Sequence, residues 1–164
     1  PSLVPGRTST ITATSSPAAA SYVWNLNGSP ISGATASTYV ANIDGLGTYK
    51  ATVTDVNGCV NSSSNSITLT AEESDRLWIY PNPNDGNFQV RLYHSADLNE
   101  KRVVSVYTEN GVLVETREYA LDNLTSPYLK MDFKLPRLAP GAYVVKVAHK
   151  YTGKETSGVM IIHH

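Results

Sequence analysis

The sequence predicts an all-β protein built from two small β-sandwich domains in tandem. The first observation is a period-two alternation of apolar and polar residues over short runs, such as residues 22–26, 88–92 and 143–147. One apolar and one polar face on each strand is what a sandwich sheet requires. No apolar stripe with helical spacing and useful length interrupts these runs.

Turn residues separate the alternating runs at short intervals, and this is the second observation. Asn57-Gly58 and Asn110-Gly111 each offer two residues that tolerate positive φ, so both predict a tight hairpin. Pro140-Gly141 fits a type II turn, because Pro sets φ at the first corner and Gly accepts a positive φ at the second. Several short strands punctuated in this way are typical of β-sandwiches.

The third observation is an uneven distribution of charge, which predicts the domain boundaries. The chain has 164 residues, a length that suits one medium domain or two small ones. Although it carries 13 basic and 14 acidic residues, few of them lie in residues 1–71: Arg7, Asp44, Lys50 and Asp55. Residues 72–76, Glu-Glu-Ser-Asp-Arg, are charged and lack apolar periodicity, as linkers do. We therefore predict domains at residues 1–71 and 77–164 with a linker at residues 72–76.

Composition and motifs exclude several classes of function. A formal net charge of −1 gives no basis for binding nucleic acid or an anionic membrane. No apolar run approaches the roughly 18 residues of a transmembrane helix. The single cysteine, Cys59, cannot form an internal disulfide. Asp44 and Asp55 are too few for a Ca²⁺ loop, and no catalytic motif accompanies His94 or His149, so we predict no metal, cofactor or catalytic site.

The first domain resembles an immunoglobulin-like or PKD-like domain. The resemblance rests on Trp24 and on the spacing of Asp44 and Gly47-Thr48-Tyr49, and it covers most of residues 8–70. In that fold a Trp fills the core, and a Tyr near the start of the sixth strand closes a corner by bonding to backbone upstream. Together with the alternation and the turns, this predicts two tandem immunoglobulin-like β-sandwich domains. Because the first domain shows no site of its own, we expect it to act as a spacer.

The second domain opens with an arch between two strands, Tyr80-Pro81-Asn82-Pro83-Asn84-Asp85-Gly86-Asn87-Phe88. Two prolines one residue apart favour an extended corner that is poor in hydrogen-bond donors. The following Asn-Asp-Gly-Asn supplies a turn in which Gly86 can take positive φ. We expect this arch to end one strand and Phe88 to begin the next.

The arch resembles the opening motif of the C-terminal sorting domain of the type IX secretion system of the Bacteroidota. Residues 103–114, 138–147 and 158–162 resemble, in order, the central hairpin, the L-x-x-G-x-Y block and the last strand of that family. The resemblance implies these sorting-motif residues: Tyr80, Pro81, Asn82, Pro83, Gly86, Phe88, Asn110, Gly111, Leu138, Pro140, Gly141, Tyr143, Val159 and Ile161.

The resemblance implies a secretion signal of a secreted or cell-surface protein that passes through the periplasm. Its implied partners are an outer-membrane translocon with its β-barrel shuttle and a sortase, which removes the domain and can attach the cargo to lipopolysaccharide. Cleavage is then expected between Ala71 and Arg76, where a charged, uncovered linker offers an extended backbone to a protease. No catalytic role is expected in this chain, and any catalytic domain of a longer parent is expected upstream of Pro1.

Two points stay open at the level of sequence. The last strand, residues 159–162, could present a free edge to which a partner adds a strand, or its apolar residues could simply fill the core. The alternative function is an immunoglobulin-like adhesion or carbohydrate-binding module of a larger surface protein or enzyme, with exposed aromatic residues such as Trp78 or Tyr151 as contacts.

Overall fold

The computed structural model describes residues 1–62, 65–95, 99–122 and 125–163. It divides into two compact units, Pro1–Glu72 and Glu73–His164. Within the described residues all regular elements are strands, and none of them forms a helix of membrane-spanning length and apolarity. The predicted all-β, immunoglobulin-like sandwich architecture is confirmed.

The first unit consists of short strands in two sheets. Its strands are β1 (Ser2–Leu3), β2 (Thr8–Thr12), β3 (Ala19–Leu26), β4 (Ser29–Pro30), β5 (Thr38–Asn42), β6 (Gly47–Asp55), β7 (Val60–Ser62) and β8 (Ile67–Ala71). One sheet has the order β1-β8-β6-β3-β4, with β7 also paired to β6, and the other consists of β2 and β5. Strand β1 is parallel to β8, and the pairs β3–β6 and β2–β5 are antiparallel.

Two aromatic residues organise the core of the first unit, as the resemblance implies. Trp24 on β3 is buried, and its Nε1 donates to the Ala36 carbonyl at 3.0 Å. Tyr49 on β6 is buried, and its hydroxyl donates to the Gly45 carbonyl four residues upstream. This bond closes a tyrosine corner at the start of β6, because it ties the strand to the loop that enters it.

The second unit is a sandwich of a three-stranded and a four-stranded antiparallel sheet. Its strands are β9 (Trp78–Tyr80), β10 (Asn87–Arg91), β11 (Glu100–Thr108), β12 (Leu113–Leu121), β13 (Met131–Lys134), β14 (Gly141–His149) and β15 (Glu155–Ile162). The three-stranded sheet has the order β13-β10-β9, and the four-stranded sheet has the order β12-β11-β14-β15. Strand β15 therefore lies at one edge of its sheet.

The inner faces of the two sheets form one apolar core. Phe88 on β10 stacks on Phe133 of β13, with ring centroids 5.1 Å apart. The four-stranded sheet contributes buried residues from three of its strands: Val104, Val106, Tyr143, Val145, Val147, Met160 and Ile162. On each of these strands the buried residues are two apart, so the period-two pattern of the sequence corresponds to the inward face.

Both Asn-Gly pairs form hairpin turns, but only the glycine takes positive φ. Gly58 has φ of 85° and Gly111 has φ of 81°, and among the described residues Asn27 is the only non-glycine residue with positive φ. In the second hairpin the amide of Gly111 donates to the Thr108 carbonyl at 2.9 Å, and the amide of Thr108 donates to the Val112 carbonyl at 2.9 Å. This is a three-residue loop that ends in a left-handed glycine.

The prediction of a type II turn at Pro140-Gly141 is wrong. Gly141 has φ of 152°, far from the value of about 80° that the second corner of such a turn requires. It is instead the first residue of β14, paired with Ile162 of β15. Proline and glycine tolerate several turn and strand-entry geometries, so the dipeptide alone does not select one.

We expect Tyr49 to make the first unit sensitive to alkaline pH. Burial, and secondarily the phenol of Tyr39, raise the pKa of Tyr49 above its ordinary value of about 10. The unfolded chain then loses this proton at a lower pH than the folded chain, so stability falls as pH rises above about 10. Tyr49→Phe should flatten this fall, and at neutral pH it should cost about 1 kcal/mol for the lost bond to Gly45.

The measurement is urea unfolding between pH 8 and pH 11, followed by pulse-labelling hydrogen exchange, which reports on the two units separately. Tyr151→Phe, which alters an exposed tyrosine of the second unit, is the control. An equally steep alkaline fall in Tyr49→Phe and in the parent chain would contradict the assignment.

Candidate functional site

The arch between β9 and β10 lies where the sequence predicts it. Strand β9 ends at Tyr80, and both the Tyr80-Pro81 and Asn82-Pro83 peptide bonds are cis. Neither proline has an amide hydrogen with which to continue the ladder of β9. The chain turns through the arch and re-enters the sheet at β10, one residue before Phe88.

Within the arch, the side chain of Asn82 bonds to the backbone of the last strand. Its Oδ1 accepts from the amide of Ile161 at 2.8 Å, and its Nδ2 donates to the carbonyl of Val159 at 2.9 Å. The carboxamide thus presents one acceptor and one donor to β15, as a peptide group of a neighbouring strand would. This one side chain therefore joins Asn82 to two residues that lie 77 and 79 positions further along the chain.

Asn84 continues the contact with its backbone. Its amide donates to the Ile161 carbonyl at 3.0 Å, and its carbonyl accepts from the amide of His163 at 2.8 Å, which forms a parallel bridge. Its buried side chain stays inside the arch, where it accepts from the Gly86 amide and donates to the Pro81 carbonyl. We call the four bonds from Asn82 and Asn84 to β15 and His163 the clasp.

The clasp changes the interpretation of the last strand. The outer edge of β15 between Val159 and His163 is already hydrogen-bonded by the arch, so the expectation of a free edge there is wrong for the folded domain. The alternative that these apolar residues fill the core holds for Met160 and Ile162 and fails for Val159 and Ile161, which are 58% and 39% exposed.

Gly86 is required by a close approach of two backbone segments. It has φ of 94°, and its carbonyl accepts from the Leu135 amide at 2.8 Å. A Cβ at this position would lie 2.8 Å from the carbonyl carbon of Leu135 and 3.2 Å from the Cα of Pro136. The arch can therefore lie against the turn that precedes the L-x-x-G-x-Y block only if residue 86 has no side chain.

That block forms a second tyrosine corner. The hydroxyl of Tyr143 donates to the Ala139 carbonyl at 2.9 Å, four residues upstream, which is the spacing of Tyr49 and Gly45 in the first unit. The ring of Tyr143 belongs to the core, and Leu138 packs against that core half-buried. Gly141 lies two residues before the tyrosine, as Gly47 does in the first unit, and both have positive φ.

The opposite side of the four-stranded sheet carries an apolar surface of three exposed and three half-buried residues. Tyr107 lies opposite Val144, Val144 opposite Val159, and Ala142 opposite Ile161 in the register of β11, β14 and β15. Leu113, 52% exposed, lies opposite Tyr107 on β12. We call these six residues the outer apolar face: Tyr107, Leu113, Ala142, Val144, Val159 and Ile161. Every block after the arch contributes to it.

The other end of the same sheet surface is charged and internally paired. Lys101 and Lys150 both donate to the carboxylate of Glu118, and Lys146 lies 3.6 Å from Glu155. The hydrogen bonds from Lys101 and then from Lys150 lower the pKa of Glu118. Because these cations already have carboxylate partners, they do not form a dedicated anion site.

The second unit contains a buried polar cluster that the sequence does not predict. Glu100 on β11 is buried and contacts Arg102, and its Oε2 lies 2.6 Å from Nε2 of His149. His149 is thus half-buried beside a carboxylate. His94 is 1% exposed, with Nδ1 3.5 Å from Glu100 Oε1. Within the described residues, no group of three or more His, Cys, Asp or Glu residues is placed to hold a metal ion.

The first unit contains a cavity of about 580 Å³. Hydroxyl and amide side chains line much of it, among them Thr12, Thr14 and Asn61, and Trp24 and Tyr49 form part of its floor. Both aromatic rings are nearly fully buried, so they offer little face for stacking.

A comparison with protein-family models matches residues 78–162 to the secretion system C-terminal sorting domain. The match covers the arch, both hairpins of the four-stranded sheet and the last strand. The chain therefore belongs to this family. A comparison with curated proteins finds no match.

Solved structures that are similar to this chain include two proteins of Porphyromonas gingivalis. Dimeric latent PorU from Porphyromonas gingivalis matches with 15% identity and a TM-score of 0.47, over 94% of this chain and 18% of that chain. PorZ of the same organism's type IX secretion system matches with 18% identity and a TM-score of 0.38, over 70% of this chain and 15% of that chain. The chain thus spans less than a fifth of either protein.

A third similar structure contains the three N-terminal domains of the outer capsid protein Hoc of bacteriophage RB49. It matches with 18% identity and a TM-score of 0.38, over 98% of this chain and 55% of that chain.

The family defines what the C-terminal unit does. It is the sorting signal of the type IX secretion system, it acts with that machinery, and it marks the protein for export to the cell surface or for secretion. A sorting-signal domain of this kind is not itself catalytic.

We expect Gly86→Ala to destabilise the second unit more than Gly111→Ala does. Both glycines have positive φ, and an alanine there costs about 1–2 kcal/mol. Only at Gly86 does the added Cβ also meet backbone atoms, which should add about 1–3 kcal/mol, whereas Gly111 has open space. Urea unfolding with pulse-labelling hydrogen exchange of the second unit measures both, and equal losses for the two variants would refute the close-approach argument.

Proposed function

We propose that the C-terminal domain, residues 77–164, delivers the polypeptide joined to its N-terminus to the outer-membrane shuttle and translocon of the type IX system. On this proposal a sortase then removes the domain, and the cargo can be attached to lipopolysaccharide. Residues 1–71 act as a spacer, so the chain as a whole carries no catalysis of its own.

The observation that carries the proposal is the convergence of distant sequence blocks on one surface. The central hairpin, the L-x-x-G-x-Y block and the last strand together supply the outer apolar face, with Tyr107, Val144 and Val159 in neighbouring register. Contiguous exposed apolar surface is costly in water and marks interaction sites. We infer that this face contacts the shuttle, with Val159 and Ile161 at its edge.

The linker supports the proposed position of cleavage. Residues 72–77 lie outside regular strands, and Glu72, Glu73, Asp75 and Arg76 are exposed. Exposed segments outside regular structure are where proteolytic cleavage concentrates. We therefore keep the cleavage site between Ala71 and Arg76.

The test is a fusion of a fluorescent cargo to the N-terminus of the full chain, exported to the periplasm of a cell that has a type IX system. The parent chain should bring cargo to the surface, and mass spectrometry should find the C-terminus of the mature cargo between residues 71 and 76. Periplasmic retention of this fusion would reject the proposed function.

The outer apolar face is tested in the same cells with Val159→Asp/Ile161→Asp. Both side chains point away from the core, so the domain should still fold, and we expect surface cargo to fall at least tenfold. Val40→Asp, at an exposed valine of the first unit, is the matched control and should export normally. Normal export of the double variant would show that recognition does not use this face.

A second candidate function is carbohydrate binding by the first unit, and its cavity is the observation that favours it. The volume of about 580 Å³ is typical of ligand sites, and a lining of hydroxyl and amide groups together with Lys50 and Asp55 suits a polar ligand. On a glycan array, the full chain should bind at least tenfold more strongly than Thr14→Arg, which obstructs the cavity. Thr38→Arg, exposed and outside the lining, is the control, and binding unaffected by Thr14→Arg would exclude the cavity.

A further inference from the structure

The last strand has the composition of a segment that pairs readily with another chain. Residues 156–162, Thr-Ser-Gly-Val-Met-Ile-Ile, contain no charge and no proline. Segments with high β-propensity and low charge on a sheet edge are sites at which strands of a second chain add. Strand β15 is such an edge, because among the strands that the structure describes β14 alone neighbours it in the order of the sheet.

The pairing groups on the outer side of β15 belong to every second residue. Both backbone groups of Val159, both backbone groups of Ile161 and the amide of His163 point away from β14. The clasp occupies all of these except the Val159 amide. Asn82 bonds two of them with its side chain, which supplies the hydrogen bonds of a strand without presenting a further strand edge, and Asn84 bonds the other two with its backbone.

The same edge is complementary to itself. If two copies pair antiparallel about Val159, Ser157 of one lies opposite Ile161 of the other, and Glu155 lies opposite His163. No like charges meet in this arrangement, and the uncharged β-branched residues lie at its centre. A second copy of this chain is therefore the occupant that the edge fits.

We propose that the clasp is a guard: Asn82 and Asn84 keep β15 from pairing with β15 of a second copy and so keep the sorting domain monomeric. The guard acts through hydrogen bonds of the folded domain alone. It does not depend on which component of the secretion machinery the domain meets, and its test does not involve secretion.

The test compares Asn82→Ala with Asn87→Ala in the purified full chain. Asn82→Ala removes the two side-chain bonds and so frees the Val159 carbonyl and the Ile161 amide for a second copy, while the two backbone bonds of Asn84 remain. Asn87→Ala removes an exposed asparagine of the same arch whose side chain bonds to Asp85. By analytical ultracentrifugation, Asn82→Ala should dimerise with a dissociation constant at least tenfold lower than that of the parent chain, whereas Asn87→Ala should match the parent chain.

A second substitution identifies the surface used. The amide of Val159 lies on the outer side of β15, so Val159→Pro removes a donor that a second copy needs without removing a bond to β14. Asn82→Ala/Val159→Pro should therefore return to the monomer. Dimerisation that persists in the double variant would overturn the proposal, because the contact would then lie elsewhere.

Hydrogen exchange distinguishes a folded variant that lacks the Asn82 bonds from an unfolded domain. In folded Asn82→Ala the amide of Ile161 should exchange faster at low protein concentration and regain protection as the dimer forms. A folded variant that stays monomeric at all concentrations overturns the proposal. If Asn82→Ala does not fold, Asn82→Asp, which keeps the acceptor for Ile161 and loses the donor to Val159, is judged by the same criteria. If neither folds, the clasp is a structural requirement and the guard is rejected.

Discussion

The contact between Asn82 and the backbone of β15 is the interaction on which the geometry of the C-terminal unit depends. A sandwich of separate sheets has edges, and each edge leaves backbone groups that need partners. Here the arch that leaves one sheet bonds to the edge of the other between Val159 and His163, so residues near the start of the domain fix the end of its last strand. The two sheets are thus held by packing inside and by hydrogen bonds at the rim.

The two tyrosine corners also give hydrogen-bond partners to backbone groups that lie outside the sheets. The rings of Tyr49 and Tyr143 lie in the cores of their units, and the hydroxyl of each donates a hydrogen bond to the carbonyl four residues upstream. Each bond satisfies a carbonyl in a loop that has no ladder partner, and it sets the angle at which the following strand starts. Although their sequences differ, both units use a glycine two residues before the tyrosine to allow this entry.

Much of this fold could be predicted from the sequence, because period-two alternation reports directly which residues of a strand share a face. The prediction fails where that signal is absent. Residues 159–162 are all apolar, so alternation cannot tell that Met160 and Ile162 point inward while Val159 and Ile161 point outward. The bonds of Asn82 join residues nearly 80 positions apart, and the contact of His149 with Glu100 joins two strands, so only the folded chain brings these partners together.

The outward position of Val159 and Ile161 also relates the fold to the role of the domain as a sorting signal. A sorting signal must remain soluble and still offer a surface that the secretion machinery can distinguish from other proteins. The paired charges around Glu118 keep one end of the four-stranded sheet hydrated, and the outer apolar face leaves the other end available for contact with a partner. Because the clasp bonds the edge of β15 from the Val159 carbonyl to the His163 amide, recognition can use side chains on a flat face while this part of the strand stays paired.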